Sequence, residues 1–280
     1  MEQASVVLFW FAFALYIAAT VLYAYQFVVK RSSVGWWARF FTGAGFICQT
    51  LSIGAASVST GGTQFTGPNQ LMLASWALVL LYFVMEHLIK IKIYGTFLIP
   101  VAALFMVTSQ LMKGFAGPVS LTNVQQAQLA SWMVPFHVAL IVFANAGFAF
   151  GAVSAMLYLW QEAQLKKHHS NTVTRRLPSL STLQTVARRS ITFAFPVYAA
   201  GLLLGIFRAI EEDLPSWWFD PRIMMAGIVW LTFGVYLTLV YRHNVSTRTS
   251  SWVAVFGFVL VVIVAVIART VQGGFHVFGL

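Results

Sequence analysis

The chain has 280 residues, of which 59% are hydrophobic and only 9% charged, a composition that no water-facing surface can carry. Its net charge of +10 sits in loops between apolar runs and not along an aromatic–basic stripe, which excludes nucleic acid as a partner and points to anionic membrane lipid. The single cysteine, Cys48, excludes an intrachain disulfide, and without Cys-x-x-Cys-His the chain has no attachment site for a covalent haem and no thiol oxidoreductase centre.

The apolar runs fall at 5–29, 40–58, 70–89, 94–111, 131–160, 191–211, 223–241 and 252–271. Most are long enough to cross the hydrocarbon core as helices, which satisfy every backbone polar group internally. The expected fold is all-α: a polytopic integral membrane bundle of eight transmembrane helices in one membrane domain, 1–280. Met1-Glu2-Gln3 lacks the basic start of a signal peptide, so the first run is expected to be retained. The fifth run is longer than a bilayer needs and is expected to tilt or to project past the inner interface. The segment 161–190, rich in Ser, Thr, Lys, Arg and His, reads as a solvated connector that touches lipid.

Thirteen of the 17 Lys and Arg follow spans 1, 3, 5 and 7, the exceptions being Lys113, Arg208, Arg222 and Arg269. The positive-inside rule makes that crowded side cytoplasmic and places both termini outside, in a cell membrane of bacterial type. Glu86 and Lys90 are spaced to pair on one helix face.

This topology brings three chemistry-bearing segments to the extracytoplasmic face. His137 lies near the start of span 5, behind Pro135. His276 follows span 8 in Gly273-Gly274-Phe275-His276. Trp217-Trp218-Phe219-Asp220-Pro221 joins spans 6 and 7. Two imidazoles at one depth beside an aromatic platform suit a flat apolar ligand with two open axial positions, and haem is the natural candidate. Each piece also has a plain explanation. A histidine at a helix end is commonly an interfacial hydrogen-bonding group. Trp and Phe in an outer loop form the aromatic belt. Asp220 and Pro221 are an N-cap and N1 pair. Arg208 and Arg269 sit inside apolar spans toward the outer end, where a guanidinium needs a partner. Glu211, Glu212 or Asp213 would serve, and so would haem propionates, which match the guanidinium fork.

Chemistry that the chain lacks narrows the reading further. There is no phosphate-binding loop, no Ser-His-Asp spacing and no His-Glu-x-x-His. His87 and His243 lie at inner helix ends, and His168-His169 has no neighbouring carboxylate or cysteine to complete a metal site.

Several segments resemble the CcsA/ResC-type cytochrome c assembly proteins and their HemX-like relatives. Pro135-Phe136-His137-Val138 resembles the first outer histidine segment of that family. Trp217-Trp218-Phe219-Asp220-Pro221-Arg222, with Ala226-Gly227-Ile228-Val229-Trp230-Leu231, resembles its tryptophan-rich segment and the helix after it. Gly274-Phe275-His276-Val277-Phe278-Gly279 resembles the closing Gly-x-His-x-x-Gly. The resemblance implies that His137 and His276 are axial ligands of the iron of one non-covalent haem b packed on Trp217, Trp218 and Phe219. It also implies a cytochrome c assembly partner and apocytochrome c.

The departures matter as well. Phe219 stands where Trp is usual, and Ile223 and Met225 stand where the family has Glu and Trp. The fuller assembly proteins carry a histidine in span 2 and another in span 7 for a second haem. The matching positions here are Gln49 and Thr238. The resemblance therefore leans to the HemX-like branch, with one outer haem and no inner one. The expectation is haem handling in cytochrome c maturation, at most as the haem-presenting subunit of a haem lyase, with no stand-alone catalytic site. A HemX-like regulator of haem synthesis is the nearest rival, and a small-solute transporter without cofactor is a rival of another class.

Overall fold

The computed structural model describes residues 1–29, 32–60, 67–89, 93–116, 131–167, 177–213, 217–242 and 245–270. They form α1 (Glu2–Val29), α2 (Ser32–Thr60), α3 (Gly67–Ile89), α4 (Tyr94–Ala116), α5 (Met133–Lys166), α6 (Leu180–Glu211), a 3-10 turn (Trp217–Phe219), α7 (Pro221–Tyr241) and α8 (Thr247–Thr270). Eight helices among the described residues are long and apolar enough to cross a membrane, as the sequence led us to expect. The helices gather into two compact units, Met1–Ser120 and Leu121–Leu280.

In the first unit α1 buries Phe9, Ala12, Tyr16, Ala19 and Tyr23. Their alternating spacing of three and four keeps one seam facing α2. On α2 the matching stripe is Gly35, Ala38, Thr42, Gly45, Gln49 and Ser52, all small except Gln49. Large side chains on one helix thus meet small ones on the other, so the two backbones approach closely; in lipid this packing and polar cross-links hold helices together. Two such cross-links close the seam at one end. Ser5 Oγ donates to the Ser52 carbonyl at 3.1 Å and Ser52 Oγ to the Ser5 carbonyl at 2.8 Å. Deeper in the unit the Tyr23 and Tyr82 hydroxyls share a hydrogen bond of 2.6 Å. Glu86 pairs with Arg39 Nε on α2 at 3.3 Å. Its anticipated partner, Lys90, lies outside the described residues.

In the second unit α5 and α6 run antiparallel along most of their length. Gly147 and Gly151 of α5 form a Gly-x-x-x-Gly step against α6. A Cβ on Gly147 would stand 2.8 Å from Ala194 Cβ, and one on Gly151 2.7 Å from Ile191 Cγ1 and 3.3 Å from the Ala187 carbonyl. No larger residue fits without separating the helices. Phe148 of α5 stacks on Phe233 of α7 at 3.7 Å between centroids and 4° between planes, and Tyr198, Ile191, Val229, Tyr236 and Ala254 complete this core.

Two helices, α2 and α6, begin well before their apolar runs. α6 starts at Leu180, with Ser179 as its N-cap accepting from the Thr182 amide, although the apolar run starts at 191. Its polar first turns still bury Leu183, Val186 and Ala187. α5 extends as helix to Lys166, into only the start of the 161–190 connector. α2 likewise starts at Ser32, ahead of residue 40.

Candidate functional site

The chain direction of each helix in the second unit decides which residues share an end. α5 begins at the end where α6 terminates and α7 begins. α8 runs antiparallel to α7 and returns toward that same end. His137, Arg208, the Trp217–Phe219 turn and Asp220 are thereby placed together at one end of this unit. His276 lies outside the described residues. Arg269 falls in the last turn of α8, and its side chain lies outside them as well.

His137 is half-buried in the second turn of α5, and its Nδ1 lies 2.7 Å from the carbonyl oxygen of Gly201 on α6. A carbonyl can only accept, so Nδ1 carries the hydrogen and donates. In the neutral ring this leaves the Nε2 lone pair as the basic one. The imidazole lies against Gly205, where a Cβ would stand 2.8 Å from Cε1 and 2.9 Å from Nδ1. Gly201 and Gly205 were not among the residues singled out from sequence. The available signal was their Gly-x-x-x-Gly spacing within span 6, which marks close approach of another helix.

One turn beyond Gly205, Arg208 pairs with both neighbouring carboxylates. Its Nη1 donates to Glu211 Oε2 at 2.7 Å and its Nη2 to Glu212 Oε1. Two of the acidic partners anticipated for it are therefore engaged. α6 then ends as the Glu212 amide donates to the Arg208 carbonyl, and Asp213 adopts φ 49°, a left-handed turn that Asp tolerates better than most residues.

The tryptophan-rich segment is a single 3-10 turn. Trp217 and Trp218 meet edge to face at 5.7 Å, and Phe219 is tilted against Trp218 at 6.4 Å. Trp218 and Phe219 are 55% and 70% exposed, so large aromatic surface is presented rather than packed away. Asp220 is buried and caps α7, accepting from the Arg222 amide at 2.8 Å, with Pro221 in the first turn. The capping role read from sequence for Asp220 and Pro221 is thus the observed one.

In the first unit Gln49, at the position where the resemblance would place a histidine, is fully buried and engaged. Tyr16 Oη donates to its Oε1 at 2.7 Å, and its Nε2 donates to the Met72 carbonyl at 3.1 Å. Thr238 turns its hydroxyl back to the Gly234 carbonyl of its own helix at 2.9 Å.

Eight apolar helices define a polytopic helical integral membrane protein, and the second unit's histidine and tryptophan segments narrow the class. The family model described as Cytochrome C assembly protein matches residues 68–276, and the chain belongs to that family. It is 25% identical over 226 residues to a cytochrome c biogenesis protein CcsA from Guillardia theta, covering 75% of this chain and 74% of that one. It is 26% identical over 240 residues to the protein of the same name from Prochlorococcus marinus strain MIT 9303, with 75% and 74% covered. It is also 25% identical over 170 residues to Protein HemX of Bacillus subtilis strain 168, where the match covers 58% of each chain.

Proposed function

We propose that this protein handles haem in cytochrome c maturation, holding one non-covalent haem b at the extracytoplasmic end of the second unit, within one membrane domain spanning 1–280. The observation that carries the reading is the hydrogen bond from His137 Nδ1 to Gly201. Histidines that ligate metals almost always donate their other ring N–H to a carbonyl or carboxylate, which fixes the tautomer and the ring plane. The donor set therefore fits a porphyrin iron: a neutral imidazole with Nε2 basic, exposed aromatic surface on Trp218 and Phe219, and a guanidinium fork on Arg208.

In this reading His137 and His276 would hold the haem iron. Trp217, Trp218 and Phe219 cover the macrocycle or its edge and keep water from it. Asp220 holds that turn against the start of α7. Arg208 and Arg269 meet the propionates, Arg208 by exchanging its glutamates for them. Bound there, the haem supplies the vinyl chemistry that thioether formation requires, while an assembly partner presents the apocytochrome.

The test is the absorption spectrum of the detergent-purified protein. We expect a Soret band that is lost in the His137→Ala, His276→Ala double variant. A band that survives both substitutions moves the ligands elsewhere and ends the proposal.

A second reading, regulation of haem synthesis in the manner of the HemX-like branch, is favoured by Gln49. A fully engaged glutamine there stands in place of the span 2 histidine of the fuller assembly proteins. Deletion separates the two: loss of c-type cytochromes supports assembly, and altered haem precursors with intact cytochromes supports regulation.

A further inference from the structure

We infer that Gly201 and Gly205 form a backbone seat that orients His137 and sets its basicity, so that they are positioning residues for the iron ligand. The inference rests on the reading of His137 as a haem ligand. In an α-helix the carbonyl of one residue points toward the residue four positions on, and the side chain there flanks the oxygen. Gly201 and Gly205 are such a pair. Because Gly205 has no Cβ, the imidazole lies where that atom would be and reaches the Gly201 oxygen at 2.7 Å. The carbonyl has two lone pairs, so it can serve this bond as well as its place in the helix.

The absence of a Cβ at Gly201 is used differently. A Cβ there would stand 2.9 Å from Ile141 Cδ1 and 3.1 Å from Leu140 Cβ, so the atoms nearest to it belong to helix–helix packing. The two glycines thus divide the work. One admits the neighbouring helix and lends its carbonyl, and the other leaves room for the ring to reach it.

The consequence is electronic as well as steric. A histidine that donates from Nδ1 gains imidazolate character at Nε2, binds ferric iron more strongly and lowers the reduction potential of the haem. Gly205→Ala must push the ring off its seat. Gly201→Ala disturbs the same helix pair one turn away while leaving the carbonyl in place. Gly54→Ala, at a helical glycine with nothing within 4 Å, reports the generic effect of the substitution.

The experiment uses full-length protein in detergent, loaded with haemin, with three readouts. These are haem transfer to an apoglobin scavenger, the reduction midpoint potential, and the tautomer of 15N-labelled His137 in haem-free protein. For Gly205→Ala we expect transfer about 10–100-fold faster, the range set by loss of a partner behind a metal ligand. We also expect a potential shifted upward and loss of the Nδ1–H tautomer, with Gly54→Ala unchanged in all three. If Gly205→Ala keeps the tautomer, or if its transfer rate and potential match the unsubstituted protein, the seat plays no such role. If Gly205→Ala does no more than Gly201→Ala in every readout, the glycine is ordinary packing and the inference also fails. A His137→Ala protein that retains the full haem spectrum defeats the ligand reading instead. Should Gly205→Ala bind no haem, the tautomer of its haem-free form still decides.

Discussion

Tyr16 and Gln49 meet in the buried seam between α1 and α2, the phenol donating to the amide oxygen at 2.7 Å. The amide nitrogen is held in turn by the Met72 carbonyl, so the glutamine ties together three helices of the first unit. A residue placed where relatives of this fold are expected to carry an iron ligand here acts as a structural clasp. Gln49→Leu would leave the Tyr16 hydroxyl buried without that acceptor, at a cost of about 1–3 kcal/mol. Thermal unfolding in detergent should show the loss. Haem content per protein should stay constant, since in our reading the haem belongs to the second unit. A fall in haem content with unchanged unfolding would reverse this assignment.

Glu86 and Arg39 make a second clasp, between α3 and α2, with the carboxylate side chain only 8% exposed and the guanidinium 38%. Breaking such a pair from the exposed side strands a charge in low dielectric, whereas neutralising the buried member removes the problem. Arg39→Ala should therefore destabilise the protein more than Glu86→Gln, and the double variant should recover much of the difference. A double-mutant cycle on thermal stability measures this directly. Equal and additive losses would show that the pair is not coupled.

Asp220 tests whether the acid beside the tryptophans acts by charge or by geometry. Its carboxylate accepts from the Arg222 amide and starts α7. Asn can make the same bond without a charge, and Ala cannot. Asp220→Ala should cost about 0.5–2 kcal/mol, the usual value of a lost N-cap, and Asp220→Asn much less. The Soret band should follow the same order, because the cap fixes the Trp217–Phe219 turn. An Asn variant as damaged as the Ala variant would mean that the negative charge itself is required.

Much of the architecture is legible in composition. Eight apolar runs name the eight helices, because lipid tolerates little else. Hydropathy cannot find where a helix starts when its first turns are polar. The stretch from Leu180 to Ser190 carries Arg188, Arg189 and several hydroxyls, yet buries Leu183, Val186 and Ala187 at helical spacing. Periodicity was present there and hydropathy was not. The site divides in the same way. His137, Arg208 and the tryptophan turn are visible as residue types out of place in, or at the edge of, apolar spans. The partner of His137 is a backbone oxygen 64 residues away, and a carbonyl has no letter in the sequence. Only the Gly-x-x-x-Gly spacing hinted at it.

Arg208 lies one turn past the histidine's seat, and its fork is occupied by Glu211 and Glu212. A cation near the end of α6 complements the helix dipole, whereas two carboxylates in that last turn oppose it. Arg208 is the group that makes them tolerable. If propionates also use this guanidinium, the glutamates compete with them and repel them. Glu211→Gln with Glu212→Gln should then slow haem loss to an apoglobin several-fold, most clearly at low salt where screening is weakest. Arg208→Ala should speed haem loss. Its side chain is only 19% exposed, so part of any destabilisation comes from lost packing, and unfolding must be measured alongside. The decisive comparison is the salt dependence of the transfer rate. It should flatten in the double glutamine variant if the carboxylates act electrostatically on the bound haem. An unchanged rate and slope would confine Arg208 to fastening the end of its own helix.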